Sequence, residues 1–269
     1  MNYNFQDRTI LAMNLAKKAG EEILRISQNS DLGTKEKGTK DVVTIADTKS
    51  EEIIIKGIEE KFSNDSIITE ESGTYHTTEN EYTWVIDPLD GTSNYSRGIT
   101  LYCVSIGYMK DNKPMGGAIY IPTNDELFVC ELGKGAYCNN KRLHVSSTSK
   151  LEKSLTTIGF NNRYPEMTTW FSEIHKNAMK KMYNVEKLFS TVISLCYVAA
   201  GKIESHMELY CYLWDICVGS LLIEEAGGKV SAEENKPLDY LKIDKQIILG
   251  TNGSIHDEFV NIVGPQKNY

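Results

Sequence analysis

Apolar residues between positions 5 and 27 recur at intervals of three and four, at Ala12, Leu15, Ala16, Ala19, Ile23 and Ile26, which predicts an amphipathic helix. The polar, glycine-bearing stretch 28–41 follows as a loop or loose hairpin. A second helix is expected to begin near Asp47, with Thr48 and Glu51 in a capping-box pattern and Ile54, Ile55, Ile58 and Phe62 as its apolar stripe. Residues 67–69 read as a short strand running into Glu70 and Glu71, with a loop over 72–81. Apolar runs at 84–86, 101–109, 115–121 and 127–132, separated by turn-like 111–114 and 122–125, predict an antiparallel meander. Beyond it the pattern alternates. A strand at 155–160, a helix near 165–181, a strand near 183–188 and a helix near 190–200 closed by Gly201 come first. A strand at 203–209, a helix at 214–226 ending on Gly227 and Gly228, strands at 228–231 and 247–251 and a helix near 254–263 complete the chain. The first half thus reads as α+β and the second as α/β, without an internal repeat or a linker, so the two are expected to pack as one unit.

Composition narrows the function. A net charge of −8 over 269 residues weighs against a broad nucleic-acid-binding face, which needs clustered Lys and Arg, although Lys35, Lys37 and Lys40 form a local basic patch. No run approaches the ~18 apolar residues of a membrane span. The N-terminus carries no charged-then-apolar signal pattern. The six cysteines form no CxxC pair and sit in apolar segments, which predicts buried free thiols and a reducing cytoplasm.

The stretch WVIDPLDGTSNY, residues 84–95, carries the candidate chemistry. Asp, Pro and Gly disfavour strand interiors, so Asp87, Pro88, Asp90 and Gly91 predict a sharp stop. Alone, this is a tight turn. In context, Asp47, Glu70, Asp87, Asp90 and Asp215 all fall at predicted strand ends or helix starts, where side chains are held rigidly yet open to solvent. Each has a bland reading: Glu70 to Ser72 as a solvated turn, Asp215 as a helix-start charge. Gathered together, ionised carboxylates repel unless cations lie between them. Oxygen-only ligation without His or Cys suits a hard cation such as Mg²⁺, with the Leu89 carbonyl as a further oxygen. The spacing excludes an EF-hand, because counting from Asp87 puts Leu89, Gly91 and Thr92 where that loop needs ligands and glycine. Gly91, Thr92 and Ser93 permit close backbone approach, and a helix starting there would offer free amides to a phosphate.

The sequence resembles the inositol monophosphatase family of Mg²⁺-dependent, lithium-sensitive phosphatases over nearly its whole length. The resemblance rests on WVIDPLDGTSNY, on WDICVGSLLIEEAGG at 214–228, and on Glu70-Glu71-Ser72, Asp41 to Thr44 with Asp47, and GKGAYCNNKRLHVS at 133–146, all in order. It implies a layered α-β-α-β-α sandwich of the inositol monophosphatase and fructose-1,6-bisphosphatase type. Residues 1–147 would be an α+β half carrying most metal ligands, and 148–269 an α/β half completing the substrate site. It implies that Glu70, Asp87, the Leu89 carbonyl, Asp90 and Asp215 hold two or three Mg²⁺ ions. Glu70, Thr92 and Asp47 would be catalytic, Thr92 with Asp47 orienting and helping to deprotonate the attacking water. The substrate would be held by Asp90, Gly91, Thr92, Ser93, Glu208 and Asp215, with Phe189 and Thr191 at the sugar side, and Lys37 in a mobile loop that closes over the site. A homodimer is implied, with the apolar strands 101–109 and 115–121 having one face free to be covered. The sequence departs from the family at 188-LFSTV-192, where Phe189 and Thr191 replace small residues, at Glu186-Lys187, where a basic pair is usual, and at Cys217-Val218. Inositol 1-phosphate is therefore the expected substrate, with NADP(H) 2′-phosphate, fructose 1,6-bisphosphate and 3′-phosphoadenosine phosphates as alternatives. A regulatory partnership with the RNA-synthesis machinery is the non-enzymatic alternative.

Overall fold

The computed structural model describes residues 4–29, 31–38, 41–75, 81–161 and 163–265. In chain order the elements are α1 (Asp7–Ile26), β1 (Lys35–Gly38), β2 (Asp41–Val43), α2 (Ile45–Phe62), β3 (Ser66–Thr69), β4 (Gly73–Tyr75), β5 (Tyr82–Asp90) and α3 (Thr92–Tyr95). Then follow β6 (Cys103–Lys110), β7 (Lys113–Ile121), β8 (Glu126–Glu131), β9 (Gly135–Cys138), β10 (Lys141–Arg142), β11 (Leu155–Phe160) and α4 (Thr168–Lys181). The chain finishes with β12 (Asn184–Glu186), α5 (Thr191–Ala199), β13 (Ser205–Cys211), α6 (Leu213–Glu225), β14 (Lys229–Ser231), β15 (Gln246–Thr251) and α7 (His256–Val263).

These elements stack in five layers. The periodic residues of α1, joined by Ile54 and Ile58 of α2, pack on one face of an eight-stranded sheet ordered β10-β9-β8-β7-β6-β5-β3-β4. Helices α5 and α6 fill the space between that sheet and a five-stranded one ordered β12-β11-β13-β15-β14. Helices α4 and α7 close the far face through Trp170, Ile174, Phe259 and Ile262. The fold is the layered α-β-α-β-α sandwich. Its middle core mixes Ile119, Phe128 and Cys130 of the first sheet with Val192, Leu195, Leu222 and Ile248 of the second half, so the halves pack against each other directly. Helix α6 is buried almost all round, from Ile216 to Ile223, and not only along the stripe at Cys217, Val218, Leu221 and Leu222, because it has a sheet on either side.

The meander from β5 to β10 is antiparallel as its alternation suggested, with β3 parallel to β5. Four expectations need correction. Helix α2 starts at Ile45, and its capping box is Thr44 with Asp47: the Thr44 amide donates to Asp47 Oδ2 at 2.8 Å and Thr44 Oγ1 accepts from the Ala46 amide at 3.1 Å. Glu51, the expected cap partner of Thr48, instead accepts from Thr69 Oγ1 at 2.6 Å and from the Ser72 amide at 3.1 Å. The loop expected over 72–81 begins with a strand, β4, antiparallel to β3; its residues 76–80 lie outside the described residues. Strands β6 and β7 have no free face, since α1 covers one side and α6 the other, so the basis given for a dimer surface there fails. Residues 28–41 do contain a hairpin, β1 with β2, and Lys40 of the expected basic patch lies outside the described residues. All six cysteines are free thiols, five buried and Cys138 half-buried. No helix among the described residues is long and apolar enough to cross a membrane.

Candidate active site

The stop expected after Ile86 is a bulge inside a longer strand. Strand β5 continues to Asp90, but Asp87 pairs with Ser105 and Asp90 with Cys103, so four residues stand against three of β6. Proline is tolerated here because a bulge asks for no ladder amide. The distorted segment is fixed from two sides. Ser50 Oγ donates to the Pro88 carbonyl at 2.6 Å, and the Leu89 amide donates to Asp87 Oδ1 at 3.0 Å. Gly91 then turns the chain at φ 87° into the single turn of α3. A Cβ at Gly91 would stand 2.7 Å from the Leu101 carbonyl oxygen, so conformation and space both require glycine.

The bulge brings Asp87 and Asp90 to Asp215, which sits in the first turn of α6 and accepts from the Tyr212 amide at 2.7 Å. Carboxylate oxygens of Asp87, Asp90 and Asp215 all lie within 4.8 Å of one another. Burial, then repulsion from Glu70, Asp90 and Asp215, raises the Asp87 pKa well above the carboxylate range. Burial, then Asp90, does the same to Asp215. Asp90 is pushed up to about 6 by burial, against hydrogen bonds from Ser190 and the Val192 amide that favour its ionised form. None of the three has a basic partner among the described residues. Three crowded, unneutralised carboxylates with an all-oxygen donor set fit a hard divalent cation.

Asp47 and Thr92 meet beside this cluster. Thr92 Oγ1 lies 3.0 Å from both Asp47 Oδ1 and the Leu89 carbonyl oxygen, sharing its one proton between them. Asp47 is buried and pushed up to about 6, burial outweighing the hydrogen bonds from Thr44 and Thr92. Glu70 follows β3 and lines the same cleft, outside the trio. Lys37, expected in a mobile loop, stands on β1 with Nζ 2.8 Å from Glu71 Oε2 and 3.6 Å from Glu70 Oε1.

The cleft holds about 230 Å³. Its acidic wall is Asp87, Asp90, Gly91, Thr92 and Ser93. Its opposite wall comes from the second half, with Glu208, Phe189 and Thr191 all lining it. Glu208 is pushed up to about 8, chiefly by burial, with Lys187 and a hydrogen bond from Thr191 acting the other way. Phe189 lies in the turn before α5, not on the helix, in the left-handed region at φ 58° and 60% exposed, with Lys187 Nζ 5.4 Å from its ring centre.

Two lining residues escaped the sequence reading. Ser190 caps α5, accepting from the Ile193 amide at 3.1 Å, and donates to Asp90 Oδ2, which also accepts from the Val192 amide at 3.1 Å. A serine just before the apolar run 191–200 was the available signal. His206 sits on the cleft face of β13, two residues from Glu208, and strand alternation alone pointed to it.

Known proteins resemble this chain over almost its whole length. A family model described as the inositol monophosphatase family matches residues 4–266. The chain is similar to the Nus factor SuhB of Pasteurella multocida (strain Pm70), 34% identical over 93% of this chain and 97% of that protein. It is similar to inositol monophosphatase 2 of Solanum lycopersicum, 34% identical over 96% and 98%. Among solved structures it resembles the inositol monophosphatase from Anabaena (Nostoc) sp. PCC 7120, 35% identical, with a TM-score of 0.86 over 97% of this chain and 96% of that one. In fold, motif order and length, the chain belongs to the inositol monophosphatase family.

Proposed function

We propose that this family phosphatase hydrolyses small phosphate monoesters in the cleft around Asp87, Asp90 and Asp215, with inositol 1-phosphate first among them. The observation that carries the reading is that trio of carboxylates within 4.8 Å of one another, with no basic side chain paired to them among the described residues. Glu70, Asp87, the Leu89 carbonyl, Asp90 and Asp215 would hold two or three Mg²⁺ ions. Bound Mg²⁺ supplies positive charge against the phosphoryl oxygens and acidifies water. The chain's own groups do the rest. Gly91, Thr92 and Ser93 line the cleft where the phosphate oxygens would lie. Thr92 Oγ1, its proton directed to Asp47 or Leu89, has a lone pair for a hydrogen of the attacking water. Asp47, at about 6, is ionised at neutral pH and basic enough to take a proton through Thr92. Glu208, at about 8, is largely protonated there and can both donate to and accept from sugar hydroxyls.

The exposed Phe189 ring at the cleft mouth, with Lys187 beside it, supports a broader range that includes a phosphate carrying an aromatic base, NADP(H) first. A role with the RNA-synthesis machinery draws on the likeness to a protein named a Nus factor, and the unneutralised carboxylates favour the enzyme. Phosphate release from inositol 1-phosphate is expected in Mg²⁺ and lost in excess chelator. Release undiminished by chelator, or no release from any monoester in Mg²⁺, overturns the reading.

A further inference from the structure

His206 and Glu208 alternate along one face of β13, and the parallel neighbour β11 sets Thr157 level with His206 and Gly159 level with Glu208. Thr157 Oγ1 lies 2.8 Å from His206 Nδ1 and fixes the ring. Gly159 presents bare backbone, and a Cβ there would stand 2.0 Å from Glu208 Oε2, so the glutamate lies folded across the space a side chain would take. That posture leaves Oε2 3.8 Å from His206 Nε2, too far for a hydrogen bond. Nε2 has no hydrogen-bond partner among the described residues, although the His206 side chain is only 2% exposed and lines the cleft. Burial keeps the imidazole neutral, so it acts as a hydrogen-bonding group and not as a charge. A buried ring nitrogen without a partner is uncommon, and this one stands a short carboxyl rotation from one.

We propose that His206 is a positioning residue for substrate recognition: when a leaving group with adjacent hydroxyls enters, Glu208 turns onto His206 Nε2 and is held with its other oxygen toward those hydroxyls. The substrate class is a polyol phosphate monoester, a deepening that rests on the phosphatase reading above. With Thr157 holding Nδ1 and Gly159 leaving room beside it, Glu208 would exchange its bond with Thr191 for one with His206.

His206→Phe keeps a flat ring and removes both nitrogens, and His206→Gln returns a polar amide near the position of Nε2. The kcat/KM for inositol 1-phosphate, divided by that for p-nitrophenyl phosphate, is expected to fall about tenfold in His206→Phe, mainly through KM, and to recover at least in part in His206→Gln. Calorimetric titration with myo-inositol in the presence of inorganic phosphate is expected to show weaker binding in His206→Phe than in the wild type. An equal loss on both substrates, or no recovery with Gln, assigns His206 a merely structural role and overturns the proposal. If the wild type releases phosphate from neither substrate, the phosphatase reading falls by itself and calorimetry decides for His206. Equal inositol affinity in wild type and His206→Phe, or no inositol binding at all, then overturns this proposal too.

Discussion

Asp87→Asn is expected to stabilise the metal-free protein while abolishing its activity. Asp87 is buried, and carboxylate oxygens of Asp90 and Asp215 lie within 4.8 Å. At that separation and an effective dielectric constant of ~20, two unit charges repel by about 3 kcal/mol. Proton uptake relieves part of this, so the net gain from neutralising Asp87 near neutral pH is about 1–3 kcal/mol. The hydrogen bond Asp87 accepts from the Leu89 amide survives with the Asn carbonyl oxygen in its place. The pH dependence fixes the sign. Asp87 and Asp215 are raised in the folded state and Asp90 stands at about 6, so the folded protein binds protons more tightly than the unfolded chain. The contribution of this cluster to stability in chelator is therefore fully present below the ordinary carboxylate range of ~4 and is lost as pH rises through the raised folded values, about 6 for Asp90. Thermal melts in chelator at about pH 8 should place Asp87→Asn roughly 2–12 °C above wild type, at ~2–4 °C per kcal/mol for a chain of this size. The gap should close toward about pH 5, as Asp90 and its neighbours take up protons. In Mg²⁺ the order should reverse, and phosphate release should fall roughly a hundredfold or more. If Asp87→Asn melts below wild type in chelator at the higher pH, the repulsion inferred for the cluster is wrong.

Gly91→Ala should lose about 2–4 kcal/mol, the cost of a left-handed alanine plus the clash with the Leu101 carbonyl, and a urea midpoint unchanged from wild type would contradict that. Phe189→Gly should keep the fold, since glycine is at ease at positive φ, and shift the kcat/KM ratio between inositol 1-phosphate and NADP(H) by about tenfold. An unchanged ratio removes Phe189 from recognition.

Much of this architecture was legible because it is local. The three-and-four spacing of α1 and the alternation of the meander each follow from which positions must be apolar. Asp87, Asp90 and Asp215 were legible because residues that break a strand or open a helix leave few bland explanations when five acids share that placement. What stayed hidden depends on partners distant in sequence. Asp-Pro-Leu-Asp reads as a stop, and only pairing with Ser105 and Cys103, together with Ser50 on the Pro88 carbonyl, keeps it in the sheet. Thr44 and Thr48 each have an acid three residues on. The choice falls to Thr44 because Asp47 also receives Thr92, while Glu51 is taken by Thr69 and Ser72. His206 has no companion histidine in sequence, and its meeting with Thr157 exists only in the register of β11 and β13.

The double use of Asp90 has a thermodynamic consequence. One of its oxygens receives the Ser190 hydroxyl and the Val192 amide of α5, and the same carboxyl belongs to the acidic trio. Any cation that draws on Asp90 therefore competes for, or polarises, the bonds that dock the start of α5. That segment carries Phe189 and Thr191. By reciprocity, whatever strengthens the docking of α5 changes cation affinity by the same factor that cation binding changes the docking. On the proposed Mg²⁺ reading, a substitution chosen only to reshape the organic half of the pocket would thus also move the metal concentration needed for activity, and variants would be comparable only when each is assayed across its own Mg²⁺ titration.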